Sequence, residues 1–268
     1  MTISRLAAIF FMAGEYLIYF LDRTDHYSLH TPFAFSLYRD LRINLDQHRK
    51  GNPTLEILRL RLGKDKSVLK IKDEGAGSKF ALGSNRSVSS ICKNSCSSLS
   101  YNLLYQFFLT ETPALTVVEL GTSLGINTGY LADRTIGTVY TFEADPSLLE
   151  IAGKNLCSFS NVHFIPGNIQ DTLPVFLKGR SRIDFIQIDA NHTHAATLQY
   201  CKWVWPYLHE KSVVVVGDIH WSPEMKNVWL EIKRFPGVSS TMDFFECGVL
   251  FFRSGIQVEH HILYYPGY

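Results

Sequence analysis

The sequence lacks a surplus of charge of either sign. Its 26 lysines and arginines face 25 aspartates and glutamates, which leaves a formal net charge of +1 at pH 7. Proteins that bind nucleic acids through the phosphate groups usually carry a clear basic excess, so no nucleic-acid partner is expected. The basic residues of segment 59–79 are interpreted as a solvent-exposed surface, with contact to an anionic substrate or a membrane as the alternative.

Cysteine is scarce, and the cysteines that occur do not suggest a disulfide framework. The five of them lie at positions 92, 96, 157, 201 and 247. An odd and scattered set without the spacing of a zinc site is typical of reduced thiols. This pattern predicts a cytoplasmic protein.

A long uninterrupted apolar run is also missing. The nearest approach is Leu6–Leu21, which is apolar apart from Glu15 but shorter than the ~20 residues that a bilayer-spanning helix needs. It lacks the small-residue cleavage site of a secretory signal, and no transmembrane span is expected. The segment predicts a helix packed on the domain or on a second subunit of a homo-oligomer. Peripheral contact with a membrane surface is the alternative.

From residue 99 onward, short apolar runs alternate with stretches of helical length, which predicts a doubly wound α/β fold. Strands are predicted at 115–120, 139–143, 162–165, 183–188 and 212–217. Two further runs, 238–244 and 248–253, are joined by so short a turn that they must pair antiparallel. The prediction is a Rossmann-like, mostly parallel sheet of seven strands with a C-terminal antiparallel hairpin.

The chain is predicted to divide into an N-terminal helical or mixed appendage, residues 1–98, and a domain at 99–268. A hydrophobic content of 46% over 268 residues is sufficient for a large buried core. Two motifs of the appendage leave alternatives open. His30–Phe33 and Gly75–Ser78 are expected either to cover a substrate site or to form a helix-start turn and a hairpin.

The most informative segment of the chain is a glycine turn between two predicted strands. Val117 and Val118 read as a strand buried on both faces, and Gly121 and Gly125 allow a tight turn after it. Glu143 ends the next strand, 22 residues after Gly121. A carboxylate at this place can accept hydrogen bonds from both hydroxyls of a ribose. The arrangement predicts a site for a cofactor that carries adenosine.

The spacing of the glycines argues against a nicotinamide dinucleotide. Gly121, Gly125 and Gly129 do not form the G-x-G-x-x-G turn that holds a pyrophosphate at a helix N-terminus. Glu119, inside the first strand, is unusual beside a pyrophosphate but suits a cationic group such as a sulfonium or ammonium. A nicotinamide-dependent oxidoreductase therefore remains only the second hypothesis.

Three segments together resemble the class I S-adenosylmethionine-dependent methyltransferases: Val117–Gly125, Phe142–Pro146 and Ile183–His192. Within that superfamily the chain resembles the small-molecule O-methyltransferase branch. His30–Phe33, Gly75–Ser78 and Asp218–Ser222 also resemble motifs of uncharacterised Bacteroidetes methyltransferases. The resemblance implies S-adenosyl-L-methionine as the cofactor and a hydroxyl group of a small molecule as the methyl acceptor.

The resemblance also implies roles for individual residues. Glu119 and the turn from Gly121 to Gly125 would face the methionine part of the cofactor, Glu143 the ribose, and Asn168 the adenine amino group. The implied cofactor-binding residues are Glu119, Gly121, Thr122, Ser123, Gly125, Glu143, Ala144, Asn168 and Asp189. Many relatives have Asp where this chain has Asn168, but the amide still offers a carbonyl acceptor to an exocyclic amine.

Three residues after predicted strands are candidates for catalysis: Asp189, His192 and Asp218. A neutral hydroxyl acceptor must lose its proton, and an imidazole titrates near working pH, which favours His192 as the general base. The alternative is that His192 caps a helix running from about 193 to 208. His194 and His220 are weaker candidates and are expected to be ordinary polar loop residues.

Asp189 and Asp218 are also candidate ligands of a divalent metal such as Mg²⁺. Related O-methyltransferases hold a cation with an acid after one strand and an acidic or amide pair after the next. Here the second pair is Asp218–Ile219, and isoleucine cannot coordinate a metal. The alternative is that the two aspartates orient the acceptor or cap their loops. A non-catalytic nucleoside-binding module is the third functional hypothesis.

Overall fold

A computed structural model of the chain describes residues 3–71 and 85–265. Its α-helices are α1 (Ile3–Asp22), α2 (Pro32–Gln47), α3 (Pro53–Leu62), α4 (Val88–Ser95), α5 (Leu99–Thr110), α6 (Ile126–Arg134), α7 (Pro146–Asn155), α8 (Ile169–Lys178), α9 (His194–Val204) and α10 (Pro223–Ile232). Its strands are β1 (Val68–Lys70), β2 (Asn85–Ser87), β3 (Thr116–Leu120), β4 (Thr138–Glu143), β5 (Val162–Pro166), β6 (Phe185–Ile188), β7 (Val213–Gly217), β8 (Ser240–Asp243), β9 (Cys247–Phe251) and β10 (Glu259–Ile262).

The main sheet has eight strands in the order β10-β8-β9-β7-β6-β3-β4-β5. Strand β9 pairs antiparallel with both β7 and β8, whereas the other pairs of this sheet are parallel. The predicted fold class and terminal hairpin are confirmed, but the sheet has one strand more than the seven predicted. The missed strand, β10, lies at the sheet edge and contains three polar residues, so it has no apolar pattern to reveal it.

The sheet is covered on both faces because successive residues of a strand point to opposite sides. In β3, Val117 belongs to one core with α2, α5 and α6, while Val118 belongs to another with α8, α9 and α10. Both valines are fully buried. This double burial explains the continuous apolar runs that made the parallel strands recognisable in the sequence.

Helices α7 and α10 begin at local capping motifs. The Asp145 carboxylate accepts hydrogen bonds from the backbone N–H groups of Ser147 and Leu148 at the start of α7. Ser222 accepts one from the backbone N–H of Met225 at the start of α10. Each cap residue precedes a proline in the first turn, whose missing N–H has no helical partner to lose.

Among the N-terminal elements, α2 packs onto a core of the sheet, whereas α3 and α4 form a third core with residues of α5, α6 and α7. The predicted helix at Leu6–Leu21 is present as α1, and α2 contributes buried residues to the core beneath β9. His30–Phe33 forms the start of α2, with Thr31 at the N-cap and the Phe33 ring edge-on to Phe251. Gly75–Ser78 lies outside the described residues. Across 3–71 and 85–265, no helix is both long and apolar enough to span a membrane.

Candidate active site

A cavity of about 560 Å³ lies at the carboxyl ends of the parallel strands. Ligands of open α/β sheets bind at this edge, where the loops leave the strands. Eight of the predicted site residues line the cavity: Gly121, Ser123, Glu143, Ala144, Asn168, Asp189, His192 and Asp218. They come from loops after β3, β4, β5, β6 and β7, so the fold brings together residues that are up to 97 positions apart in sequence.

Both glycines of the β3 turn are required by packing. Gly121 has a φ of +108°, and a Cβ there would lie 2.5 Å from the carbonyl oxygen of Asp189. Gly125 has a φ of +84°, and its Cβ would meet Leu156 at 3.0 Å and Ala152 at 3.2 Å on and beside α7. Gly125 is not among the cavity-lining residues. The sequence therefore predicted the position of the turn correctly. In the structure, the two glycines allow neighbouring protein segments to pack closely against the turn.

The carboxylate of Glu143 is fixed by two backbone amides. Its Oε2 accepts a hydrogen bond of 2.9 Å from the N–H of Ser123, and its Oε1 accepts one of 2.9 Å from the N–H of Asp145. Burial raises the pKa of Glu143, and these amide hydrogen bonds oppose that rise. Because a carboxylate oxygen can accept more than one hydrogen bond, the group retains acceptor capacity for two neighbouring hydroxyls of a ligand.

Glu119 lies behind the turn and does not line the cavity. Its side chain accepts hydrogen bonds from Asn127 Nδ2 at 2.6 Å, Thr128 Oγ1 at 2.5 Å and Thr141 Oγ1 at 2.6 Å. It is 1% exposed, and burial raises its pKa to about 7. Thr122 is also buried off the cavity, bonded to Thr141. In this geometry the Glu119 carboxylate links β3 to α6 and β4, and its contact with the methionine part stays a prediction.

Asn168 combines a capping role with a place in the cavity wall. As the N-cap of α8, its Oδ1 accepts a hydrogen bond of 2.8 Å from the backbone N–H of Gln170. The carbonyl oxygen has a second lone pair, so capping does not exclude a hydrogen bond from an exocyclic amine. The position is consistent with the role that the family resemblance implies.

Asp189, His192 and Asp218 lie close together in the cavity. They follow β6 and β7, which are on one side of β3 in the sheet, whereas Glu143 ends β4 on the other side. His192 Nδ1 lies 3.5 Å from Asp218 Oδ2, and His192 Nε2 lies 4.0 Å from Asp189 Oδ1. The imidazole therefore has a carboxylate on either side, but neither distance is that of a good hydrogen bond. Burial raises the pKa of Asp189 to about 6, the nearby Asp218 charge also raises it, and His192 lowers it.

The backbone of the site is unusual because several non-glycine residues occupy the left-handed region. Ser123, Asn191, His192 and Asp218 have φ values of +50°, +69°, +49° and +56°, and all four line the cavity. Such conformations cost energy and persist only where surrounding structure holds them, commonly at functional sites. No sequence pattern marks these positions, so sequence reasoning could not place the His192 ring.

The alternative prediction, that His192 caps the helix after it, is wrong because Thr193 occupies the N-cap of α9. The N-cap of α9 is Thr193, whose Oγ1 accepts a hydrogen bond of 3.3 Å from the backbone N–H of Ala196. His194 and His220 do not line the cavity. His194 pairs with Glu231 at 3.2 Å, and His220 lies between the carboxylates of Glu15 and Asp243.

Aromatic and N-terminal residues complete the cavity, and sequence reasoning missed most of them. Tyr105 comes from α5, Tyr200 from α9 and Trp221 from the loop after β7. Trp221 belongs to the motif Asp218–Ser222 and lies in the cavity wall. The segment before α5 also contributes, through Cys96 and its neighbours. Tyr105 carried no signal because α5 is buried along most of its length, which hides a cavity-facing position among core positions.

The acid-histidine cluster can accommodate a divalent cation. One ligand atom from each of Asp189, His192 and Asp218 lies within 4.8 Å of the others. Ile219 is fully buried in the core and leaves the position beside Asp218 without a donor. Two carboxylates and one imidazole form a donor set that Mn²⁺ or a similar transition metal accepts more readily than Mg²⁺, which prefers oxygen.

Comparisons with known proteins agree with this geometry. The model of a methyltransferase domain family matches residues 118–219. A search among curated proteins finds no match. Among solved structures, the fold is similar to the O-methyltransferase TomG from Streptomyces achromogenes in complex with SAM, with 17% identity, a TM-score of 0.50, and coverage of 60% of this chain and 83% of that one.

Two further structures share the fold. An O-methyltransferase from Bacillus cereus in complex with SAH has 16% identity and a TM-score of 0.53, over 79% of this chain and 99% of that one. SAH-bound PaMTH1, a methyltransferase from Podospora anserina, has 13% identity and a TM-score of 0.51, over 59% of this chain and 80% of that one. The chain therefore shares its fold with these methyltransferases, and its residues 118–219 match a methyltransferase domain family, as the sequence predicts.

Proposed function

We propose that this protein is an S-adenosylmethionine-dependent methyltransferase that methylates a hydroxyl group of a small molecule. One observation carries the proposal. One cavity contains both Glu143, whose carboxylate is held by backbone amides and can still accept hydrogen bonds from two hydroxyls, and His192, whose ring lies between two carboxylates. The first suits a ribose and the second suits removal of a hydroxyl proton.

The residues that would hold the cofactor follow from the cavity wall. Glu143 would accept hydrogen bonds from the ribose hydroxyls, Asn168 would face the adenine, and the turn at Gly121 and Ser123 would border the remainder; all four residues line the cavity. When bound, the cofactor supplies a methyl group on a positively charged sulfur. The protein has to bind the acceptor oxygen in line with that methyl group and exclude water from it.

His192 is proposed as the general base. It takes the proton of the acceptor hydroxyl, and the resulting imidazolium is stabilised by the Asp218 carboxylate, 3.5 Å from Nδ1 in the described geometry. Asp189, on the other side of the ring, orients it through its own charge. The two aspartates thus place negative charge beside the imidazolium that forms when the acceptor becomes an oxyanion.

A divalent cation at Asp189 and Asp218 is the alternative means of activation, because it would lower the pKa of the acceptor hydroxyl directly. The two alternatives predict different responses to chelation. If His192 is the base, transfer survives EDTA and is abolished by His192→Ala. If a cation is required, EDTA removes activity and Mn²⁺ restores it. Transfer is measured with methyl-labelled cofactor and pooled metabolites as acceptors.

Calorimetry with S-adenosylhomocysteine tests cofactor binding without knowledge of the acceptor. Glu143→Ala removes hydrogen bonds to a charged acceptor worth about 1.5–3 kcal/mol each, so an affinity loss of about 30-fold or more is expected. Glu150→Ala, on the exposed face of α7, is the matched control and should bind as the wild type does. Unchanged binding by Glu143→Ala, or no binding by the wild type, would contradict the proposal.

The other two functional hypotheses give different results in similar assays. A nicotinamide enzyme would bind NADH in a fluorescence titration, and a non-catalytic module would bind S-adenosylhomocysteine but transfer no methyl group. A small-molecule acceptor is favoured by the cavity with its aromatic wall of Tyr105, Tyr200 and Trp221. The cytoplasmic location, and the choice between a homo-oligomer and membrane contact at Leu6–Leu21, stay predictions.

A further inference from the structure

Helix α1 is attached to the protein by its polar side. Glu15 and Tyr19, one turn apart, are 6% and 2% exposed. The Glu15 carboxylate accepts a hydrogen bond of 2.6 Å from Lys226 Nζ and lies 2.9 Å from His220 Nδ1. The Tyr19 hydroxyl donates a hydrogen bond of 2.6 Å to the carbonyl oxygen of Leu263. The only charged side chain between residues 6 and 21 therefore faces inward.

The outward face of α1 is apolar. Eight large apolar side chains of the helix are exposed, and Phe10, Leu17 and Leu21 are 72%, 58% and 70% exposed. An ordinary surface helix has the opposite arrangement, with its apolar stripe on the core and polar residues in water. A contiguous patch of this kind on a folded protein marks an interaction site.

We propose that a second copy of this chain covers this face, with the two α1 helices packed against each other around a twofold axis. The outward residues Leu6, Phe10, Ala13, Leu17 and Phe20 are spaced 4, 3, 4 and 3 positions apart. This spacing is the seam of a helix pair, in which one side chain fits between those of the facing helix. An apolar seam of this kind is complementary to itself, which a twofold interface requires, and the Arg23 guanidinium borders it at Phe20.

The exposed area is sufficient for a dimer. Large side chains offer about 150–250 Å² each, so exposed fractions of 36–72% over eight of them give roughly 800 Å² on each copy. A typical specific interface buries about that area per partner. Ala13 lies midway along the seam, where a small residue allows two helices to approach closely, and Gly14 beside it has open space around its Cα.

A membrane surface fits α1 less well. Helices that lie on membranes carry lysines and arginines on a polar face that reaches the lipid headgroups. The helix has one basic residue, Arg5, in its first turn and none from Leu6 to Asp22, and the Glu15 carboxylate is paired within the protein. The next basic residue, Arg23, is stacked on Phe20 and Tyr264, at 4.3 and 4.5 Å from the ring centroids.

The proposed interface is joined to the active-site loop. Glu15 contacts His220, which is two residues from Asp218 in the loop after β7. The His220 ring also lies 2.9 Å from Asp243 and stacks on Phe245 with an interplanar angle of 9°. Covering α1 with a second copy would therefore hold the helix that supports this loop, so the dimer and the site share a structural element.

Sedimentation equilibrium of the full chain tests the proposal. The wild type is expected to be a dimer, and Leu17→Glu to raise the dimer dissociation constant at least about tenfold, because it places a charge in the apolar seam of each copy. Val175→Glu is the control, since Val175 is 67% exposed on α8, away from the seam. Circular dichroism should show that both variants fold.

Ala13→Trp distinguishes a second copy from a membrane. The substitution adds apolar area, which strengthens membrane binding, but it separates the two helices where they must approach, which weakens the dimer. Flotation with vesicles of phosphatidylcholine and phosphatidylserine is the parallel measurement. A monomeric wild type, or a dimer unaffected by both Leu17→Glu and Ala13→Trp, would overturn the proposal. Vesicle binding by a monomeric wild type would assign the face to a membrane. None of these results depends on cofactor binding.

Discussion

Replacing Glu119 with glutamine is expected to reduce the pH dependence of the protein's stability. Glu119 is almost completely buried, and burial raises its pKa from 4.5 to about 7. Three donors, from Asn127, Thr128 and Thr141, lower the pKa but do not offset the cost of removing the charge from water. Glutamine keeps the size of the protonated side chain and cannot ionise.

The sign and size of the effect follow from linkage between proton binding and folding. Below pH 4.5 Glu119 is protonated in both the folded and the unfolded state, so it does not contribute to the pH dependence of stability. Between pH 4.5 and about 7 the folded state holds a proton that the unfolded state releases, so stability falls as pH rises. At about 1.4 kcal/mol per pH unit, the full loss is about 3 kcal/mol and is complete above pH 7.

Urea unfolding followed by tryptophan fluorescence at pH 4.5, 5.5, 6.5 and 8 measures the effect. The free energy of unfolding of Glu119→Gln minus that of the wild type should increase by about 3 kcal/mol across this range, whatever other groups titrate. Glu150→Gln is the control, because Glu150 is exposed and its pKa is lowered by Lys154. A difference for Glu119→Gln that does not change with pH would refute the argument.

Three further substitutions test the site and its scaffold. Gly217→Ala would place a Cβ 2.2 Å from Asp189 Oδ1, so methyl transfer should fall about 100-fold while S-adenosylhomocysteine affinity is retained; equal transfer would contradict this. Gly137→Ala would bring a Cβ within 2.3 Å of the Leu115 carbonyl oxygen. The free energy of unfolding, measured with urea, should fall by at least about 2 kcal/mol, and an unchanged value would contradict this. Asp145→Ala removes the cap of α7 and should cost about 1 kcal/mol by thermal unfolding, whereas no loss would show that the cap is dispensable.

The strands were predictable where burial on both faces left a continuous apolar run. The predicted run 212–217 is Val213–Gly217 in the structure, and 115–120 is Thr116–Leu120. Strand β10 was not predictable because Glu259, His260 and His261 show no such run, and only its pairing with β8 defines it. Helix starts at Asp145 and Ser222 were predictable because a cap depends on neighbours within three residues.

The candidate site divides in the same way. Gly121, Glu143 and Asn168 were predictable because strand ends and their loops lie at one edge of a parallel sheet. The different surroundings of Glu119 and Glu143 were not predictable, since a strand pattern does not specify which partners a carboxylate near the strand end will meet. Glu119 accepts hydrogen bonds from a cluster of side chains, whereas Glu143 accepts them from backbone amides at the cavity. These partners come from neighbouring segments of the fold.

By itself, the sequence determined the α/β class, the turn after β3 and the set of polar residues at the strand ends, because these depend on periodicity and on neighbours along the chain. Only the tertiary structure decided that His192 lies between Asp189 and Asp218 and that the polar side of α1 faces the protein. Those outcomes depend on left-handed backbone conformations and on contacts between residues far apart in sequence, such as Glu15 and Lys226, which no local pattern encodes.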